Sequence, residues 1–172
     1  IPITTEVPKD TLANLTNLHF TEDYFDILKY KILTEQDLSI YQTVEEGIDK
    51  VLKKEINHVS SYEEFIQKVK SKHYTYNKIS RMLLHILCNF TKEKASNFKE
   101  IHYIRILGFN QIGRNYLNKI KKEVTLPIIS KITKHKDPML EFELATTKIY
   151  NIKKESSQKE ENTIIYKGDL YD

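Results

Sequence analysis

Lys78, Arg81, His85 and Asn89 recur at i, i+3, i+7 and i+11, a spacing that sets them along one side of a helix. Just upstream stand Lys70, Lys72, His73, Tyr74 and Tyr76. Cations of this kind grip phosphates, and the aromatic rings among them stack on unpaired bases. Thr75 is placed to cap the helix that follows, and the first-turn amides of a helix attract anions. The same stripe also reads as an ordinary solvated helix face. A second cluster runs Arg105-Ile106-Leu107-Gly108-Phe109-Asn110-Gln111-Ile112-Gly113-Arg114. A strand end, a glycine turn and a capped helix start would turn Arg105, Asn110 and Arg114 toward an anion. The competing reading is a structural turn, with Gly108 at positive φ and Asn110 as the cap.

Groupings that would carry catalysis are weak. The histidines at 19, 58, 73, 85, 102 and 135 show no metal-ligand spacing with carboxylates, so no metal site is expected. Cys88 follows His85 by three residues, which permits a Cys–His pair but fits a half-buried structural thiol better. With one cysteine the chain forms no internal disulfide and no CxxC zinc site. Neither GxGxxG nor GxxxxGK[ST] occurs, which excludes folds built on glycine-rich phosphate loops. The residues speak for binding, with no catalytic residue in this chain.

Charge sharpens that reading. Residues 1–66 hold 6 Lys/Arg against 13 Asp/Glu, residues 67–136 hold 16 against 3, and residues 137–172 hold 5 against 8. The usage of 24 Lys to 3 Arg, with 22 Ile, 11 Asn and 11 Tyr, points to an AT-rich genome. Codon bias scatters lysine; it does not clear acids from one stretch. A block so basic repels itself unless a polyanion or an acidic neighbour balances it. The candidates are a nucleic-acid backbone and the acidic first third of the chain itself.

The elements that must position these residues follow from periodicity. The 172 residues, 40% hydrophobic and 30% charged, suit one ordinary domain or one larger and one smaller unit. No apolar run reaches membrane-spanning length, and the start at Ile1 implies a processed chain or a piece of a longer one. Helices are predicted over about 22–34 (capped by Thr21), 43–57, 61–71 (opened by a capping box at Ser61 and Glu64), 76–91 and 93–101. The 76–91 helix carries the strongest apolar stripe: Ile79, Leu83, Ile86, Leu87 and Phe90. From Tyr103 the period changes. Strand 103–107, helix 111–123 with Ile112, Tyr116, Leu117 and Ile120 inside, and strand 126–130 predict a small βαβ unit. A helix of about 138–150 and a short strand at 163–166 follow. The expected fold class is α+β, mainly α-helical: a helical domain over 19–102, then βαβ plus helix over 103–150. Residues 1–18 read as a connector and 151–172 as a polar tail with a possible short strand.

Four stretches resemble a known family: Asn17–Phe25 continuing through Leu28–Leu33, Val44–Ile48, Lys70–Leu87 and Ile104–Asn110. Together they are similar to the C-terminal half of the bacterial tRNA(Met) cytidine acetate ligases of low-GC Gram-positive bacteria. That resemblance implies a cytoplasmic two-part enzyme. An N-terminal nucleotidyltransferase domain with a HIGH-type motif, missing here, would use ATP and acetate to acetylate the wobble cytidine of elongator tRNA(Met). The present half would hold the tRNA and be inactive alone, without a cofactor of its own. The family's Lys-Arg-Tyr-Thr block has His73 in the place of its Arg, and Lys78 stands where an Arg often precedes Ile. Both changes lose the planar fork of Arg. Rival expectations are a helical protein-interaction domain for an acidic partner, and the accessory domain of a nucleotidyltransferase with another acceptor.

Overall fold

The computed structural model describes residues 19–132 and 135–153, and the backbone of 164–165. It is mainly helical with small parallel ladders, the α+β class expected. The chain divides between Lys92 and Glu93 into two compact units. The stretch 93–102, grouped by periodicity with the helices before it, thus belongs to the second unit.

The first unit opens with a 3₁₀ turn at Thr21–Tyr24 leading into α1, Phe25–Thr34. Thr21 lies inside that turn and is not its cap; the Asp23 carboxylate accepts from the Phe20 amide at 2.7 Å instead. Helix α2, Ile48–Glu55, starts five residues later than its apolar spacing predicts. The cause is backbone: Thr43 sits at φ 69 and Gly47 at φ 91, so no helix passes through them. Helix α3, Tyr62–Val69, begins as expected. Ser61 Oγ accepts from the Glu64 amide at 3.2 Å, while the returning Glu64 carboxylate takes the amide of Ser60. Helix α4, Tyr76–Leu87, buries Ile79, Met82, Leu83, Ile86 and Leu87. These meet Leu28, Ile32, Leu52, Phe65 and Ile66 in one apolar core, with Phe25 edge-on to Tyr62. Leu33 and Val51, which share the helical spacing of the apolar residues around them, are exposed.

Helix α4 stops at Leu87 rather than near 91. Asn89 adopts φ 57, the Phe90 amide donates to the His85 carbonyl at 2.8 Å, and the Asn89 amide to Ile86 at 3.2 Å. These two reversed bonds around a left-handed Asn form a Schellman cap, and the His85 and Phe90 rings pack across it at 5.1 Å. The capped end is tied to the 41–43 loop. Gln42 N donates to Phe90 O at 2.9 Å, and Lys31 donates to Asn89 Oδ1. The buried Tyr41 hydroxyl donates to Glu35 at 2.7 Å, with the Lys31 ammonium over its ring.

In the second unit, helix α5 spans Lys92–Asn97 and strand β1 spans Ile104–Arg105. Strand β2 is Gly108–Phe109, helix α6 is Gln111–Ile120, and strand β3 is Ile128–Ile129. Helix α7 covers Pro138–Asn151 and strand β4 Ile164–Ile165. Strand β1 pairs with β3 in parallel through the α6 crossover, the predicted βαβ arrangement, and β2 pairs in parallel with β4. Gly108 is not at positive φ; the backbone runs extended through β2 and Asn110, and the helix begins at Gln111. Helix α7 is capped by Asp137, which accepts from the Met139 and Leu140 amides ahead of Pro138 at the first helical position. Burial alone would raise the Asp137 carboxyl, but those amides and the His102 ring at 3.1 Å hold it below the ordinary carboxylate value. Ile129 and Leu140 are the only fully buried apolar side chains among the described residues of this unit. Ile112 and Tyr116, predicted inside, are exposed.

Two outcomes check this packing. Leu83→Ala is expected to cost about 2–5 kcal/mol of stability in denaturant unfolding, since the site is wholly enclosed. Burial, reinforced by the hydrogen bond to Glu35 and its charge, pushes the Tyr41 phenol up. Its contribution to the fold is therefore complete below the ordinary tyrosine value of about 10 and is lost only as pH climbs through the raised one. In an alkaline titration followed by tyrosinate absorbance, Tyr41→Phe should remove a late-ionising group. Loss of an early-ionising group instead would contradict this packing.

Candidate nucleic-acid interface

The two predicted clusters fall in different units, the first in residues 70–85 and the second in residues 105–114. In the first, α3 ends with Lys70 in extended conformation. A tight turn follows, in which the Ser71 amide donates to the Tyr74 carbonyl at 3.1 Å and Tyr74 N donates to Ser71 Oγ at 3.2 Å. That turn exposes Lys72 and His73. Thr75 occupies the N-cap position with the right backbone but makes no side-chain cap bond; its carbonyl accepts from Ile79 N at 3.0 Å. Tyr76, Lys78 and Arg81 then project from α4. Lys78 Nζ lies 3.3 Å from the His73 carbonyl, folding that side chain back over the turn.

Among the described residues no carboxylate comes within ion-pair distance of Lys70, Lys72, Lys78 or Arg81. Four cations with no carboxylate partner among the described residues, on a turn and the helix it feeds, are a surface for anions. Acids do border it. The Tyr74 hydroxyl donates to Glu45 at 3.2 Å, and burial together with that carboxylate raises its phenol. Burial and the charges of Glu22 and Glu63 raise Tyr76 as well. Tyr74 is thus half-buried and engaged, while Tyr76 is 37% exposed.

His85 does not join this patch as the spacing predicts. As a residue of the α4 C-terminal cap it is drawn toward the 41–43 loop. Its Nδ1 sits 3.0 Å from the Gln42 carbonyl and 3.1 Å from Thr43 Oγ1. The carbonyl is an acceptor, so Nδ1 carries the proton and donates. Asn89 leaves the stripe for the same reason. Cys88 is half-buried at the same cap, and the Nδ1 of His85 is committed to the Gln42 carbonyl.

The second cluster is largely structural. Arg105 pairs with Glu143, whose other oxygen accepts from the Tyr103 hydroxyl at 2.7 Å. The Arg105 side chain is only 14% exposed. Asn110 Oδ1 accepts from Gly113 N at 2.9 Å and caps α6. Arg114 alone of the three is exposed, with no carboxylate near it among the described residues. The sequence-predicted set therefore separates. Lys70, Lys72, His73, Thr75, Tyr76, Lys78, Arg81 and Arg114 are available to a ligand, whereas Tyr74, His85, Arg105 and Asn110 are held internally.

Two polar groupings escaped the sequence reading. Glu143 lies 38 residues from Arg105, and Tyr41 lies 48 from Asn89; neither separation leaves a local pattern. The His102–Asp137 pair was half legible, since Asp-Pro ahead of an apolar run marks a helix start. The described residues hold no group of three or more metal-ligating side chains. No described helix is long and apolar enough to cross a membrane.

A tRNA(Met) cytidine acetate ligase of Lysinibacillus sphaericus is 35% identical over 85% of this chain and 38% of its own length. One of Anoxybacillus flavithermus is 41% identical over 77% of the chain and 34% of its own length. The chain thus spans little more than a third of the curated relatives it matches. The crystal structure of apo Thermotoga maritima TmcAL superposes with a TM-score of 0.77 at 23% identity, over 94% of this chain and 46% of that one, which supports the same fold. The HIGH Nucleotidyl Transferase sequence model matches residues 2–163, a wider span than the resembling stretches, although no His-Ile-Gly-His motif is present. The chain belongs to the HIGH nucleotidyl transferase family.

Proposed function

We propose that this chain is the tRNA-holding, C-terminal part of a cytoplasmic tRNA(Met) cytidine acetate ligase. The observation that carries the reading is the group of exposed cations Lys70, Lys72, Lys78 and Arg81, none with a carboxylate in reach among the described residues, together with the partly exposed Tyr76. The names of the relatives supply the substrate class. In this reading the patch grips the backbone of elongator tRNA(Met) and holds an anticodon-loop base toward an adenylate formed by a nucleotidyltransferase domain beyond this chain. The chain's own part is to bind and orient; it moves no proton and breaks no bond.

ATP and acetate belong to that other domain. The residues described here do not fit a triphosphate cradle. Gly47 belongs to the first unit and Gly108 and Gly113 to the second, and the side of Gly113 is filled by Phe109 and Asn110. Purified chain should therefore catalyse no acetate-dependent pyrophosphate exchange with ATP. Exchange above background would overturn the division of labour.

The binding role is tested by filter-binding titrations of elongator tRNA(Met) at several salt concentrations. Affinity should fall steeply with salt, and Lys72→Ala should lower the slope of log affinity against log salt by about one unit. Arg81→Ala should cost about 1–3 kcal/mol of binding with helicity unchanged by circular dichroism, because α4 is held from its opposite side. Wild-type binding by Arg81→Ala would reduce the stripe to a solvated face. Binding of an acidic protein and not of tRNA would favour an interaction domain instead.

A further inference from the structure

The α6 helix has an apolar stripe that the chain covers only along one edge. Ile112, Tyr116, Leu117 and Ile120 fall together on its wheel. Gly113 fixes how the helix is turned. A Cβ there would lie 3.2 Å from Phe109 Cβ, so the first turn packs against β2 through the missing side chain. With that rotation set, Leu117 and Ile120 are half-buried, while Ile112 is 68% and Tyr116 60% exposed. Two large apolar side chains one turn apart thus lie open to solvent on one edge of a stripe whose other edge is half-buried.

Charge decides what would cover them. From Gln111 to Lys122 there is no acid, and Arg114, Lys119, Lys121 and Lys122 stand in the same twelve residues. Lys119 lies three residues beyond Tyr116 and seven beyond Ile112, on their side of the helix. Among the described residues no carboxylate pairs with it. A bare phenol ring between an aliphatic wedge and a free ammonium suits an unpaired base with its phosphate.

We propose that the Ile112–Tyr116 face of α6 is a stacking platform for an unpaired nucleotide of bound RNA, with Lys119 on the adjacent phosphate. The proposal rests on the RNA-binding reading above and adds a second contact in the second unit, independent of the Lys70–Arg81 patch. It makes Tyr116 a positioning residue.

The chain has no tryptophan, so Tyr116→Trp places a sole indole on the platform. Its emission is followed while an RNA stem-loop is titrated in, with anisotropy of the labelled RNA measured alongside and a blunt RNA duplex as control. Stacking predicts emission quenched at least twofold by the stem-loop and little changed by the duplex. Tyr116→Ala should weaken stem-loop binding about fivefold to a hundredfold, and Tyr116→Phe, which keeps the ring, should restore it. If wild type binds the stem-loop while Tyr116→Ala is unchanged and the indole is not quenched, the platform is wrong and the RNA reading stands. If wild type binds no RNA, both fall. Equal quenching by duplex, or an indole already blue-shifted and blind to RNA, also overturns the platform; the second result would mark a face covered by protein.

Discussion

The left-handed turn at Asn89 governs the first unit. One residue at φ 57 ends α4, and its two reversed hydrogen bonds bring Phe90 back to the 41–43 loop. Lys31, Glu35 and Tyr41 then gather around the Asn89 and Phe90 end, so α1 is locked to the C-terminus of α4 by polar bonds as well as by the core. The cap also decides chemistry. It takes His85 away from the exposed cations and fixes its tautomer through the Gln42 carbonyl. Asn tolerates this conformation better than most residues; the Thr43 opposite, β-branched at φ 69, does not and stores strain. The network at 85–91 holds it in place.

The basic block of the sequence turns out to be two surfaces. Residues 67–92 fold with the acidic first third, and the first unit as a whole carries 12 Lys/Arg against 13 Asp/Glu. The second unit carries 15 against 11. Acidic neighbours thus offset much of the block in total charge, as one reading of the composition expected. Yet the compensation is not pairwise. Glu45 engages Tyr74, and Glu64 reaches Lys68, while Lys70, Lys72 and Arg81 have no described carboxylate in reach. Near-neutral units with locally unpaired cations keep a short-range grip on anions without a strong long-range field.

What could be read from the sequence was what repeats at short range. The α4 stripe, the Ser61 cap and the strand–helix–strand order all obey local periods, and all are present. The errors share one physical origin. The end of α4 depends on a loop more than forty residues earlier, and the start of α2 on positive φ at Thr43 and Gly47. Arg105 finds its mate in Glu143 on α7. For Ile112 and Tyr116 the period correctly reported an apolar face, but a period does not say whether anything covers it. Of the candidate site, the exposed cations were legible because exposure is the default for lysine. Which polar side chains had been drawn inward was not.

The parallel pairing of β1 with β3 also sets an order of events. A parallel ladder cannot be closed by a hairpin; the chain must first lay down β2 and the whole of α6 before Ile128 can return beside Ile104. Only then does Ile129 reach its buried position. The first unit packs helices joined by short connections and gains its core as each arrives. The second must meet the loop-closure entropy of the β1–β3 ladder before Ile129 can be buried. During synthesis, α6 therefore emerges with its apolar stripe bare on both edges, and the return of β3 completes the sheet beside it while leaving the Ile112–Tyr116 edge open to the last.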